Sequence, residues 1–209
     1  MENIRRLATR EKALKINLSR QFYGSFAEIG AGQETAANFF KAGASSGTIA
    51  KTMSAYDMEF SDAIYGDTER YVSETRLQQM LDKEFALLGK RLESRASQTC
   101  FFAYANTVET TNFHRNNQAH GWMGLRFQLN PQNSPNECII HFALNDQESN
   151  WQQRSIGILG VNLLYACFFL HENPDLLICS LLDHIVQDTV EIDLFRISGR
   201  DFQQVDNRL

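Results

Sequence analysis

The stretch from Thr99 to Ala105 (Thr-Cys-Phe-Phe-Ala-Tyr-Ala) carries apolar side chains at both odd and even positions. A strand with one wet face alternates apolar and polar residues. A strand without that alternation is buried on both sides, as at the centre of a sheet covered by helices. Residues on either side extend this reading. Phe22 to Ile29 reads as a strand, 34–42 as a helix, and Thr48 to Tyr56 as a second strand. Leu77, Met80, Leu81, Phe85, Leu88 and Leu92 recur at three- and four-residue spacings over 73–93, the mark of an amphipathic helix, with Ser73 as its N-cap. Trp122 to Leu129 and Cys138 to Leu144 alternate as strands and are joined by Asn130-Pro131-Gln132-Asn133-Ser134-Pro135-Asn136, which predicts an antiparallel pair. A long helix is expected from Ser149 to His171, and another begins at Pro174 with Leu176, Leu177, Leu181 and Leu182 buried. In a last strand Val190, Ile192 and Leu194 share a face. Strands and helices interleave. The expected fold is therefore α/β, a three-layer Rossmann-like sandwich with a mixed sheet.

Composition agrees with one domain over residues 1–209. Fifteen Phe supply a large core, and only three Pro argue against long disordered linkers. The net charge of −5 gives no general attraction to phosphate backbones, so nucleic acid is not an expected partner. Arg5, Arg6, Arg10, Lys12 and Lys15 make residues 1–20 a basic helical arm with a solvated face. Cys100, Cys138, Cys167 and Cys179 lie among apolar residues without CxxC spacing, which predicts buried, reduced thiols. The apolar run from Ile156 to Leu170 is too short and too polar to cross a bilayer. No membrane association and a cytoplasmic location are expected. The polar ending at 203–209 suits the N-terminal part of a longer protein.

One turn stands out as a possible binding element: Phe26-Ala27-Glu28-Ile29-Gly30-Ala31-Gly32-Gln33. A strand, a glycine turn and a helix form the arrangement that holds a nucleotide at a helix N-terminus, because glycines let a ligand approach the backbone. Glu28, Gly30 and Gly32 match the acidic residue and two spaced glycines of Rossmann-type methyltransferases. Asp57, near the end of the second strand, is placed to accept hydrogen bonds from ribose hydroxyls. The cofactor candidates are an adenine nucleotide or S-adenosylmethionine. Glu34 and Thr35 stand where GxGxG and GxxG patterns require a third glycine. A purely structural turn is the other reading. The small-residue loop 42–48 lacks the Gly-Lys-Ser/Thr ending of a P-loop.

His114 and His120 flank a polar loop. His120, beside Gly121-Trp122-Met123-Gly124, is the catalytic candidate, since imidazole transfers protons near neutral pH. His141 reads as a hydrogen-bonded core histidine. Asp57, Glu59 and Asp62, and likewise Glu191 and Asp193, read as solvated acidic faces. No metal site is expected, because histidines and cysteines lack ligand spacing.

Across its length the chain resembles a poorly characterised bacterial family often labelled nicotinate-nucleotide adenylyltransferase. The stretches that carry the resemblance are Phe26–Glu34, Gly47–Lys51, Ser54–Met58, Ser61–Gly66, His120–Gly124 and Asp206–Leu209. It implies the N-terminal part of such a protein, and a C-terminal partner domain where the likeness to adenylyltransferases lies. The Gly-x-Phe-x-Pro-x-His-like turn of those enzymes does not occur here, so their activity falls on no residue of this chain. Asn106 stands where the resemblance leads one to expect Asp after the buried strand. The reading that follows is a domain binding a small nucleotide or adenosine cofactor, reaction unknown. The alternative is a non-catalytic scaffolding module that forms a homo-oligomer.

Overall fold

The computed structural model describes residues 6–208, with side chains through Phe202. The elements in chain order are α1 (Thr9–Ser19), β1 (Phe22–Gly30), α2 (Thr35–Ala42), β2 (Ile49–Ala55), α3 (Met58–Tyr65), α4 (Glu74–Arg91), β3 (Cys100–Glu109), β4 (His120–Phe127), β5 (Asn136–Leu144), α5 (Ser149–Phe169), α6 (Pro174–Ser180), β6 (Val190–Gly199) and β7 (Phe202–Arg208). One sheet holds all seven strands in the order β2-β1-β3-β4-β5-β6-β7. β1 runs parallel to both β2 and β3, and every pairing from β3 to β7 is antiparallel. This is the expected mixed sheet, with the expected antiparallel pair at β4 and β5.

Helices cover both faces, giving three layers. Phe26, Phe102, Tyr104 and Phe142 pack against α1, α2, α5 and α6 on one face. Ala27, Ala103, Ala105 and Ile139 pack under Leu77, Met80 and Leu81 of α4 on the other. β3 feeds both cores, which is why its first six residues, 100–105, are apolar on both faces. Helix α5 is buried almost all round, so the apolar run 156–170 is covered by the chain itself. Ser73 Oγ accepts from Arg76 N at 3.2 Å and caps α4 as expected.

Several expectations are corrected. The basic segment is a helix docked on the domain: Arg6, Arg10 and Lys15 are exposed as expected, but Lys12 is not. The helix begins at Thr9, residues 2–5 lie outside the described residues, and Ala13 and Ile16 are in the core. Lys12 is buried, because its ammonium donates to Asn162 Oδ1 and Asp183 Oδ2, both at 2.8 Å. A buried cation persists only when paired in this way. β3 continues through Asn106 and Thr107, expected to be loop, because both side chains find hydrogen-bond partners inside the protein. Leu182, expected to be buried, is exposed, as is the Cys179 thiol.

β6 also departs from simple alternation. Leu194 lies opposite His141 and Ile192 opposite Phe142, so Asp193 is an extra residue with no partner across the ladder. Such a bulge reverses the parity of the faces. Ile192 packs on the α5 side, and Leu194, expected to share its face, packs on the α4 side.

Candidate functional site

In this strand order β1 connects leftward to β2, and the chain then returns to β3 on the other side of β1. In open α/β sheets, ligands bind outside the C-terminal strand ends where the order reverses in this way. A cleft of about 990 Å³ lies at that place. Its walls include Gly30, Ala31 and Glu34 of the turn, Tyr56 after β2, and Glu109 and Phe113 at the end of β3. Tyr56 is 81% and Phe113 97% exposed, leaving two aromatic faces uncovered at the rim.

The glycine turn forms the floor of this cleft, but most of its polar groups are satisfied within the protein. Glu28 is only 3% exposed and points away from the opening. Its carboxylate accepts the backbone N–H of Thr35 at 3.0 Å and of Ala36 at 3.2 Å, so it caps α2 from inside. Burial pushes its carboxyl up to about 7, and the hydrogen bonds from Ala36, Thr35 and Asn106 offset part of that rise. Asn106 Nδ2 donates to the Gly32 carbonyl at 2.8 Å, to the Tyr104 hydroxyl at 3.1 Å and to Glu28 at 3.3 Å. A Cβ on Gly32 would lie 2.6 Å from Asn106 Oδ1, so glycine is needed there for close packing. Gly30 has φ +73°, and a Cβ there would meet the Val108 carbonyl at 2.5 Å. The N–H of Ala31 is bonded to the Val108 carbonyl, and that of Gln33 to the Ala31 carbonyl.

Of the expected binding residues, Gly30 reaches the cleft wall, while Glu28 and Gly32 lie beneath it. Asp57 does not line the cleft. Its Oδ1 accepts from Phe60 N at 2.8 Å and caps α3. In the loop 42–48 the Gly47 and Thr48 N–H groups are bonded to the Ala44 and Ser45 carbonyls.

A second cleft of about 860 Å³ adjoins the first and shares Thr111 with it. Arg70, Arg115, His120, His141 and Asp193 are on its walls. Gln152, fully buried, accepts from Thr111 N at 2.8 Å, and its amide donates to Thr111 Oγ1 and to the Asp146 carbonyl. It thereby fixes the wall between the two clefts. In sequence it is one polar residue in a long helix, with nothing to mark it.

His120 does not stand alone. Its Nδ1 lies 3.0 Å from His141 Nε2, and His141 Nδ1 lies 2.6 Å from Asp193 Oδ1. Trp122 packs on the His141 ring with centroids 4.7 Å apart. Burial lowers the His120 pKa and the neighbouring His141 lowers it further, with Glu109 opposing. His141 was expected in the core and Asp193 on a solvated face. The structure brings both to His120, and the bulge in β6 explains how Asp193 reaches the same side as His141. Among the described residues no group of three His, Cys, Asp or Glu side chains is arranged to hold a metal ion. No described helix is long and apolar enough to cross a membrane.

No protein-family model and no curated protein matches the chain. Solved structures do. A competence/damage inducible protein, CihA, from Agrobacterium tumefaciens superposes with a TM-score of 0.53 at 15% identity, over 76% of this chain and 94% of that one. A competence-damaged protein (CinA) superfamily protein from Klebsiella pneumoniae gives 0.55 at 14% identity, over 76% and 96%. Another CinA superfamily protein, from Enterobacter cloacae, gives 0.55 at 12% identity, over 80% and 96%. At such identities the likeness is one of fold: this chain has the three-layer α/β architecture of the CinA superfamily structures.

Proposed function

We propose that this chain is a small-molecule-binding domain that takes a nucleotide-type ligand across the two adjoining clefts. One observation carries the reading. The larger cleft sits at the β1/β3 reversal of strand order, where open α/β sheets bind their ligands. The uncovered rings of Tyr56 and Phe113 suit a flat heteroaromatic base. The Glu109 carboxylate suits ribose hydroxyls. The first cleft is a poor phosphate cradle, since its charged walls are Glu34 and Glu109 and the N–H groups of Ala31, Gln33, Thr35 and Ala36 are bonded within the protein. A phosphate would instead extend past Thr111 toward Arg70 and Arg115 of the second cleft, with His120 facing it. The resemblance to proteins labelled nicotinate-nucleotide adenylyltransferase adds nicotinate mononucleotide to the candidates, beside adenine nucleotides and S-adenosylmethionine.

A thermal-shift series with nicotinate mononucleotide, ATP, NAD and S-adenosylmethionine tests this. A ligand at about 100 times its Kd adds about 2.7 kcal/mol of stability. That corresponds to a rise of roughly 5–11 °C for a domain of this size. The shift should vanish in a Tyr56→Ala, Phe113→Ala variant and persist in Asp57→Ala. Equal shifts in both variants would move the ligand elsewhere. Absence of any shift with the four compounds would reject this ligand class.

A further inference from the structure

The hydrogen bonds around His120 have a direction. A carboxylate only accepts, so His141 Nδ1, 2.6 Å from Asp193 Oδ1, must carry a proton. In neutral His141 the other nitrogen, Nε2, is then an acceptor. His120 Nδ1, 3.0 Å away, must therefore be the donor. This leaves Nε2 of neutral His120 with its lone pair free, and among the described residues no group is hydrogen-bonded to it. The ring is part of the wall of the second cleft.

The arrangement is built by the fold. His120 and His141 sit on adjacent antiparallel strands; His141 is paired with Trp122, two residues along from His120, which puts both rings on the same face of the sheet. Trp122 holds the His141 ring in place. Asp193 is the unpaired residue of the β6 bulge, and bulges next to active sites re-aim single side chains in this manner.

We propose that Asp193 and His141 act as positioning residues that make His120 Nε2 a general base for proton transfer from an O–H group, water or a ligand hydroxyl, bound in the second cleft. As the oxygen forms its new bond to an electrophilic centre of the ligand, His120 Nε2 takes the proton. The positive charge on the His120 imidazolium is stabilised through His141 by the Asp193 carboxylate. His120 then returns the proton to the departing group as its bond breaks, and the protein ends as it began. The charged and titratable groups facing His120 are Glu109 from β3, His141 from β5, Asp193 from β6 and Arg70 from the segment before α4. Burial, His141 and Arg70 favour the neutral ring, which is the form a base requires near neutral pH.

The inference rests on the ligand-site reading only for the identity of the substrate, because the tautomers can be read without any ligand. Side-chain ¹⁵N NMR of the full chain at pH 8 should show both His120 and His141 protonated at Nδ1. Carbethoxylation by diethyl pyrocarbonate, followed by mass spectrometry, reads the reactivity of the free nitrogen, with exposed His114 as the internal reference. In Asp193→Asn the proton on His141 is no longer obliged to sit at Nδ1. The ratio of His120 to His114 labelling should fall by at least about tenfold, as expected when a base is held in the wrong tautomer. An unchanged thermal midpoint in that variant would confirm that positioning, not folding, was lost. Wild-type His120 protonated at Nε2 would overturn the proposal. So would Asp193→Asn leaving both tautomers and the labelling ratio as they were. A failed thermal-shift screen with correct tautomers would reject the nucleotide reading and leave the relay standing.

Discussion

Two polar networks lie close together in this protein, and they are built in opposite ways. The one under the glycine turn is directed inward and is closed except at Asn106 Oδ1, which is buried without a hydrogen-bond partner among the described residues. Glu28, Thr35, Tyr104 and Asn106 are buried, and they bond mainly to one another and to the turn's own backbone. The network at the second cleft is open-ended. Asp193 and His141 satisfy each other, His141 binds His120, and the last nitrogen has no partner among the described residues. A closed network spends its hydrogen bonds on holding the fold, since a buried polar group left unpaired is costly. An open one keeps a group free for something that arrives. The glycine turn, the most suggestive motif in the text, is thus mainly architecture. The proposed chemistry lies with a histidine whose partners are distant in sequence.

The largest effect that separates the two networks is expected at Gly32. Gly32→Arg drives a charged side chain into the space held by Asn106 and Val108, and should cost at least about 4 kcal/mol. Urea denaturation would measure it, and a near-native midpoint would show that the turn is not packed as described. Loss of ligand binding in this variant would reflect unfolding, so Gly32 is a poor probe of the site.

The next effect is a pH dependence. Glu28 has a folded-state pKa raised from 4.5 to about 7, so between those values the folded protein binds more protons than the unfolded chain. Its contribution to stability is full below the lower value and is lost as pH rises through the upper one, an effect of up to about 3 kcal/mol. Glu28→Gln should flatten this part of the profile when thermal midpoints are compared from pH 5 to 8. A variant with the same slope as wild type would place the titration elsewhere.

Asn106→Ala leaves the Gly32 carbonyl without its donor and removes one hydrogen bond each from Tyr104 and Glu28. A loss of about 2 kcal/mol is expected by denaturant titration. The smallest effect is at the rim. Tyr56→Ala and Phe113→Ala should change stability by no more than about 0.5 kcal/mol, because both rings are exposed. Their effect belongs to ligand affinity. A large stability change there would erase the contrast between the closed network and the open cleft.

Much of the fold was legible before the structure. Two-sided burial at Thr99–Ala105, the spacing of Leu77, Met80 and Leu81, and the Asn/Pro-rich turn at 130–136 each depend on local periodicity or turn chemistry. A chain records these in neighbouring residues. His120 was legible as a proton-transfer candidate from its residue type and its polar loop. The role of Glu28 was misread for a physical reason: an acid before a glycine turn looks the same whether it faces a ligand or caps the next helix from within. Lys12 looked like a solvated charge, because its acceptors Asn162 and Asp183 are 150 and 171 residues away.

By itself, then, the sequence determined the periodic elements, the layered α/β architecture that buries them, and the glycine turn at the end of β1. Only the tertiary structure decided which polar residues meet. Strand pairing brings His120 beside His141 from 21 positions away, and one unpaired residue in β6 turns Asp193 toward them from 52 positions further along. Neither register nor a bulge leaves a local mark, because both are settled by which side chains the two cores accept.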